Sequence, residues 1–183
     1  IYNGEIYNFK ELKKKYNIIT KSNTDTEVLI ELFSKLGVNC FKLLNGIFAF
    51  IIFDNLEKKV YCVRDRLGVK PLYYLKNNNK YYFCSEIKGI LKVVKNVHID
   101  FDTIKFYLNT TFYDTSKSTF YKNISQVEQA TCLIFDLKTQ NIVNKKYWDL
   151  DDKENPYENF DFLDKHLNNS FSIQQRSDTK IGL

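Results

Sequence analysis

Gly46-Ile47-Phe48-Ala49-Phe50-Ile51-Ile52-Phe53-Asp54 is the stretch on which the fold turns. Up to Phe53 it is apolar throughout, as expected of a strand covered on both faces. Asn55-Leu56-Glu57-Lys58 has the composition of a turn, and residues 59–64 read as the returning strand. Residues 72–76 and 80–85 flank Asn77-Asn78-Asn79 as a second hairpin, and residues 131–136 with 142–148 form a third. Helical spacing fills residues 86–94 and 101–108. Short antiparallel strands sandwiched by helices predict an α+β domain built in layers.

Upstream of that run, Ile1-Tyr2 looks like a strand end broken at Asn3-Gly4. Residues 9–16 form a short helix with Leu12 and Tyr16 on one face. Thr24-Asp25-Thr26-Glu27 opens the next helix with the spacing of a capping box, and Asp25 suits the positive end of the helix dipole. Val28, Leu29, Leu32, Phe33 and Leu36 supply its apolar face, and Gly37 is a fitting stop. Downstream, residues 149–157 are acidic and polar, contain Pro156 and read as a linker. Phe160, Leu163, Leu167 and Phe171 return to helical spacing, and Ile181-Gly182-Leu183 reads as the opening of a buried strand. The chain starts with Ile1 and contains no Met, so a piece of a longer protein, truncated at both ends, is expected.

The 183 residues are 44% apolar and 27% charged, an ordinary balance for a globular protein. The net charge of +5 is carried nearly all by Lys, with only Arg64, Arg66 and Arg176 as Arg, and acidic residues are mixed among the lysines. A nucleic-acid partner would want a basic stripe instead, so none is expected. No apolar run approaches the roughly 20 residues that span a bilayer, which argues against a membrane protein. Cys40, Cys62, Cys84 and Cys132 are too far apart for a C-x-x-C motif and read as buried small side chains in a reducing cytoplasm. His98 and His166 have no neighbouring metal-ligand spacing, and no metal site is expected.

Three places could carry chemistry. At Asn3-Gly4-Glu5, an Asn amide beside a backbone N–H can hold a developing oxyanion, although Asn-Gly is also a common turn. Asp25 is a helix N-terminal acid that could instead grip a ligand's ammonium group, alone or with Glu5. Residues 64–74, opening Arg64-Asp65-Arg66, read as a salt-bridged turn between strands. No Walker or G-x-G-x-x-G pattern appears, which argues against phosphate binding at these positions.

Together the segments resemble asparagine synthetases of the glutamine-hydrolysing type. The matching pieces are Asn3-Gly4-Glu5-Ile6-Tyr7-Asn8, Thr24-Asp25-Thr26-Glu27, Asn45-Gly46-Ile47-Phe48-Ala49-Phe50 with Asp54, Arg64-Asp65 through Tyr74, and Ser85-Glu86-Ile87-Lys88. Arg176-Ser177-Asp178 with Ile181-Gly182-Leu183 looks like the lead-in to the pyrophosphate-binding loop of the synthetase domain. The resemblance implies part of a four-layer α/β/β/α Ntn-hydrolase sandwich over residues 1–148, a linker at 149–157, and the first helix and strand of an α/β ATP-pyrophosphatase-like domain over 158–183.

In that family an N-terminal Cys attacks the side-chain amide of glutamine, and the ammonia released amidates ATP-activated aspartate. Asn3 and Gly4 match the oxyanion hole, and Glu5 and Asp25 match residues that hold the glutamine amino-acid group. The implied partners are glutamine, aspartate and ATP with Mg2+, and a homodimer stays open as the assembly. A related amidotransferase with another acceptor, such as a sugar acid, and a non-catalytic scaffold are the alternative readings. None of these 183 residues matches the nucleophile or the family's Ser-Gly-Gly-x-Asp-Ser loop, so this stretch by itself is expected to catalyse neither half-reaction.

Overall fold

The computed structural model describes residues 1–77, 80–113, 116–150 and 160–176. In chain order the elements are β1 (Tyr2–Ile6), α1 (Phe9–Lys15), α2 (Asp25–Leu36), β2 (Gly46–Asp54), β3 (Lys59–Arg64), β4 (Tyr73–Asn77) and β5 (Lys80–Cys84). They continue with α3 (Ile87–Val93), α4 (Phe101–Thr110), β6 (Ile124–Gln126), β7 (Thr131–Asp136), β8 (Ile142–Lys146) and α5 (Phe160–Gln174). A 3-10 helix, Gly37–Leu43, follows α2. The chain divides into two compact units, residues 1–4 with 47–149 and residues 5–46 with 150–183.

The first unit holds two sheets, one in the order β1-β2-β3-β7-β8 and the other β5-β4-β6. The β2–β3 pair is antiparallel, with Ala49 opposite Arg64 and Asp54 opposite Lys59, as the sequence predicts. Its turn closes because the Asp54 carboxylate accepts the Leu56 and Glu57 N–H groups at 2.9 and 3.0 Å. The period-2 alternation of strands then sorts side chains to two faces. Ala49, Cys62, Leu133 and Phe135 of the first sheet pack with Tyr74, Tyr81 and Phe83 of the second, joined by Leu72 and Val127. The Phe135 ring meets Tyr81 and Phe83 edge-on, with centroids 4.7 and 5.3 Å apart. On the far face of the second sheet, Leu75 and Ile124 pack against Ile90 of α3 and Val94 just after it.

The middle of β2 is buried on both faces, Phe48 and Phe50 on one and Ala49 on the other, which is what its apolar run requires. Toward the turn the strand emerges, and Phe53 is 55% exposed. β6 has no counterpart in the sequence reading: Ile124-Ser125-Gln126 is too short to show a period, and it is held by pairing with β4.

At the Arg64-Asp65 corner, backbone groups take up both buried charges. The Arg64 guanidinium donates to the carbonyls of Lys70, Val127 and Gly68 at 2.9, 2.9 and 2.7 Å. The Asp65 carboxylate accepts four N–H groups, from Leu67, Val69, Lys70 and Phe48, at 2.9 to 3.3 Å. Both side chains are 1% exposed. At that depth an unsatisfied charge is costly, so these bonds are obligatory. Gly68 takes φ +70° beneath the guanidinium, the left-handed geometry that favours glycine.

In the second unit Thr24 caps α2, its hydroxyl accepting the Glu27 N–H at 3.4 Å. The reciprocal half of the capping box differs: the Glu27 carboxylate reaches back past Thr24 to the N–H groups of Lys21 and Ser22, both at 2.7 Å. Val28, Leu29 and Leu32 are buried, and Phe33 stacks on Phe41 at 5.7 Å. Gly37 ends α2 with φ +56° as expected, but the chain continues directly into the 3-10 helix, which the sequence reading did not contain. α5 forms where its spacing predicts, with no buried side chain among the described residues. The body of the linker and the strand at 181–183 lie outside the described residues, as do Asn78 and Asn79.

Removing the Asp65 carboxylate orphans the four N–H groups it accepts. Asp65→Ala is expected to cost about 1–3 kcal/mol or more, read as a fall in the urea midpoint against the parent chain.

Candidate functional site

The strand that carries Asn3 and Gly4 does not break where the sequence suggests. β1 runs on to Ile6, and the turn comes at Tyr7-Asn8. Asn-Gly makes a hairpin turn when both residues adopt left-handed angles. Here only Gly4 has positive φ, at +142°, and the strand carries on. A Cβ on Gly4 would sit 2.1 Å from the Ile47 carbonyl oxygen and 2.6 Å from the Phe48 Cα. Only glycine fits. Farther along, the Ile51 N–H donates to the Ile1 carbonyl at 2.9 Å, and the Tyr2 ring meets Phe50 at 6.4 Å. The Asn3 side chain is exposed.

Glu5 and Asp25 belong to the second unit. Glu5 is half-buried. The Ile6 N–H donates to Asp25 Oδ2 at 2.9 Å, so this first-turn acid does more than suit a helix dipole. It fixes the end of β1 to the start of α2. Gly46 has no room for a side chain either: a Cβ there would lie 2.1 Å from the Glu5 carbonyl oxygen. The next residue is held as firmly, with the Tyr7 N–H donating to the Asn45 carbonyl at 2.8 Å.

Asn8 is a positioning residue to which the sequence reading gave no role. Its Nδ2 donates to the Leu43 carbonyl and its Oδ1 accepts the Asn45 N–H, both at 2.9 Å. Its partners lie 35 and 37 positions away, so no local pattern announces them. Asn3, Gly4 and Glu5 are thus consecutive on β1, and Asp25 is bonded to the residue that follows them.

A separate cavity of about 450 Å³ lies in the first unit, lined by Tyr73, Ile87, Asp102, Phe106, Tyr107 and Gln126 among others. None of Asn3, Gly4, Glu5 or Asp25 lines it. No sequence pattern announces it, because its aromatic residues form no polar motif. Among the described residues no group of three or more His, Cys, Asp or Glu could hold a metal ion, and no helix is long and apolar enough to cross a membrane.

All four cysteines are free. Cys40, Cys62 and Cys132 are buried, and Cys84 is half-buried, more open than the sequence reading has it. Burial pushes the Cys40 thiol up to about 12 and raises that of Cys62 further. A thiol that resists ionisation is a poor nucleophile.

The chain matches the glutamine amidotransferase domain over residues 1–148. The chain belongs to the glutamine amidotransferase domain family. The amidotransferase domain and the residues after it are 42% identical, over 188 aligned residues, to a Methanocaldococcus jannaschii protein provisionally named asparagine synthetase (glutamine-hydrolyzing) 2. That match covers 100% of this chain and 36% of the relative. Asparagine synthetases (glutamine-hydrolyzing) 2 and 3 of Bacillus subtilis are 30% and 32% identical, over 82% and 84% of this chain and 21% and 25% of their own lengths. The chain therefore spans about a third or less of these relatives.

Among solved structures, the glutamine phosphoribosylpyrophosphate amidotransferase of Bacillus subtilis, complexed with ADP and GMP, is similar with a TM-score of 0.56 over 81% of this chain and 28% of that one. At 21% identity it shows the fold: the amidotransferase domain is an α+β structure of the Ntn type, with antiparallel sheets.

The thiol environments set a direct check on the amidotransferase domain. Brief alkylation of the native chain at pH 8 is expected to label Cys84 and spare Cys40, Cys62 and Cys132, with all four labelled in urea, as read by peptide mass mapping.

Proposed function

We propose that the whole protein is a glutamine-dependent asparagine synthetase and that these residues serve its glutamine-hydrolysing half. The observation that carries this is identity of 42%, extending over the whole chain, to a relative named for that reaction. In this reading residues 1–148 are the amidotransferase domain, 149–157 a linker and 158–183 the start of the synthetase domain. ATP with Mg2+ and aspartate are bound by parts of the protein other than these site residues. Four free thiols fit a cytoplasmic setting.

The roles follow from chemistry. A cysteine thiolate of the whole protein adds to the amide carbon of glutamine, and the carbonyl oxygen becomes an oxyanion. The Asn3 side-chain N–H and the Gly4 backbone N–H donate to that oxygen as its charge develops. Collapse of the adduct breaks the C–N bond and leaves a glutamyl thioester. The departing nitrogen takes a proton and leaves as ammonia, and water then releases glutamate. Glu5 and Asp25 hold the ammonium group of glutamine by charge-assisted hydrogen bonds. Support for this arrangement comes from the glycine-only fit of Gly4 and from the bond between Asp25 and Ile6, which leave these groups little freedom. Ammonia then amidates aspartate activated by ATP.

The test uses the full-length protein with glutamine, aspartate and ATP. Asparagine is the expected product, and a different amidated acid would overturn the reading. Asn3→Ala is expected to lower kcat for glutamine hydrolysis by about 10²- to 10³-fold, while synthesis from added ammonia is retained. Asp25→Asn is expected to raise KM for glutamine about tenfold or more, the loss of one charged hydrogen bond.

A further inference from the structure

We propose that Arg176 is a positioning residue for glutamine recognition, holding the turn after Glu5 from the far end of the chain. The inference rests on the proposed function and extends it to a residue outside the four assigned to the site. Arg176 follows α5, and its Nη1 donates to the Tyr7 carbonyl at 2.7 Å across 169 positions of sequence. The same nitrogen donates to Glu11 Oε2 at 2.8 Å, and Nη2 completes a two-pronged bond to the other oxygen of that carboxylate.

The fork geometry decides what the contact does. A planar guanidinium meeting a carboxylate through two parallel bonds is fixed in orientation as well as place. Glu11 lies on α1 and aims the guanidinium, and the carbonyl it is aimed at is two residues from Glu5. Hydrogen bonding to Arg176 holds the Glu11 carboxyl below the usual carboxylate range, so the fork is intact at neutral pH.

The turn is then gripped from three directions. Asp25 takes the Ile6 N–H, the Asn45 carbonyl takes the Tyr7 N–H, and Arg176 takes the Tyr7 carbonyl. Two of these grips come from the segment containing α2 and the start of β2. The third comes from the segment after α5. Any shift of that segment must pull on the Tyr7 peptide and so on the placement of Glu5.

A structural role alone would look different. The Glu11 side chain is 55% exposed and that of Arg176 28%, and an ion pair so open contributes little to stability. Its effect belongs in substrate affinity and local order.

Arg176→Gln, Arg176→Lys and Glu11→Gln are compared with the parent full-length protein. In Arg176→Gln, KM for glutamine is expected to rise about tenfold with kcat within about twofold, and amide exchange at Ile6 and Tyr7 to quicken about tenfold. Arg176→Lys keeps a donor but not the fork and falls between, as does Glu11→Gln. An unchanged KM, or exchange that quickens evenly across the whole domain, would overturn the proposal. Should the parent protein hydrolyse no glutamine, the functional reading fails separately. The exchange arm then decides alone: faster exchange confined to Ile6 and Tyr7 supports the positioning role, and unchanged exchange ends it.

Discussion

The backbone of β2 passes so near Gly4 that a single methyl group there would lie 2.1 Å from the Ile47 carbonyl oxygen, well inside any tolerable contact. Position 4 therefore has neither space nor backbone angle for another residue. This one close approach fixes where Asn3 stands, since it is bonded to Gly4. The same device recurs at Gly46, which lies as near to the Glu5 carbonyl oxygen. In the proposed chemistry, donors aimed at an oxyanion gain their effect from being held in place before charge develops. A side chain is absent so that a backbone can be exact about where its N–H lies.

Ile47 must itself be held, and the Asp65 carboxylate does this at one remove. Asp65 accepts the Phe48 N–H through its side chain and donates its own N–H to the Phe48 carbonyl at 2.8 Å. The residue clamped is the neighbour of Ile47. Arg64 packs its charge into three carbonyls on the other side of the same corner. Two buried charges thus stiffen the strand that Gly4 lies against. Hydrophobic replacement of buried ions is often neutral for stability, but here it would free the backbone groups that set this corner. The price is paid in desolvation and returned as position.

Much of this was legible in the sequence where the governing contacts are local. The unbroken apolar run at 46–54 announces a strand, and Thr24 with Glu27 announces a helix start, because each pattern is read within a few residues. The candidate site is legible through the resemblance of several blocks in register, not through any single one. Gly4 illustrates the limit: Asn-Gly is the strongest short turn signal, yet pairing with β2 overrides it and the strand runs on to Ile6. β6 and the 3-10 helix at Gly37–Leu43 are too short for a period to appear. The bonds of Asp25 to Ile6, Asn8 to Leu43 and Arg176 to Tyr7 join residues 19, 35 and 169 positions apart. Nothing in the neighbourhood of either partner encodes such a meeting.

The most direct measurement is a crystal structure of the full-length protein with glutamine bound. Expected is a side-chain carbonyl oxygen about 3 Å from both the Asn3 amide nitrogen and the Gly4 backbone nitrogen, with the α-ammonium group against Glu5 and Asp25. Glutamine seated elsewhere, or bound with those four groups turned away from it, would contradict the assignment.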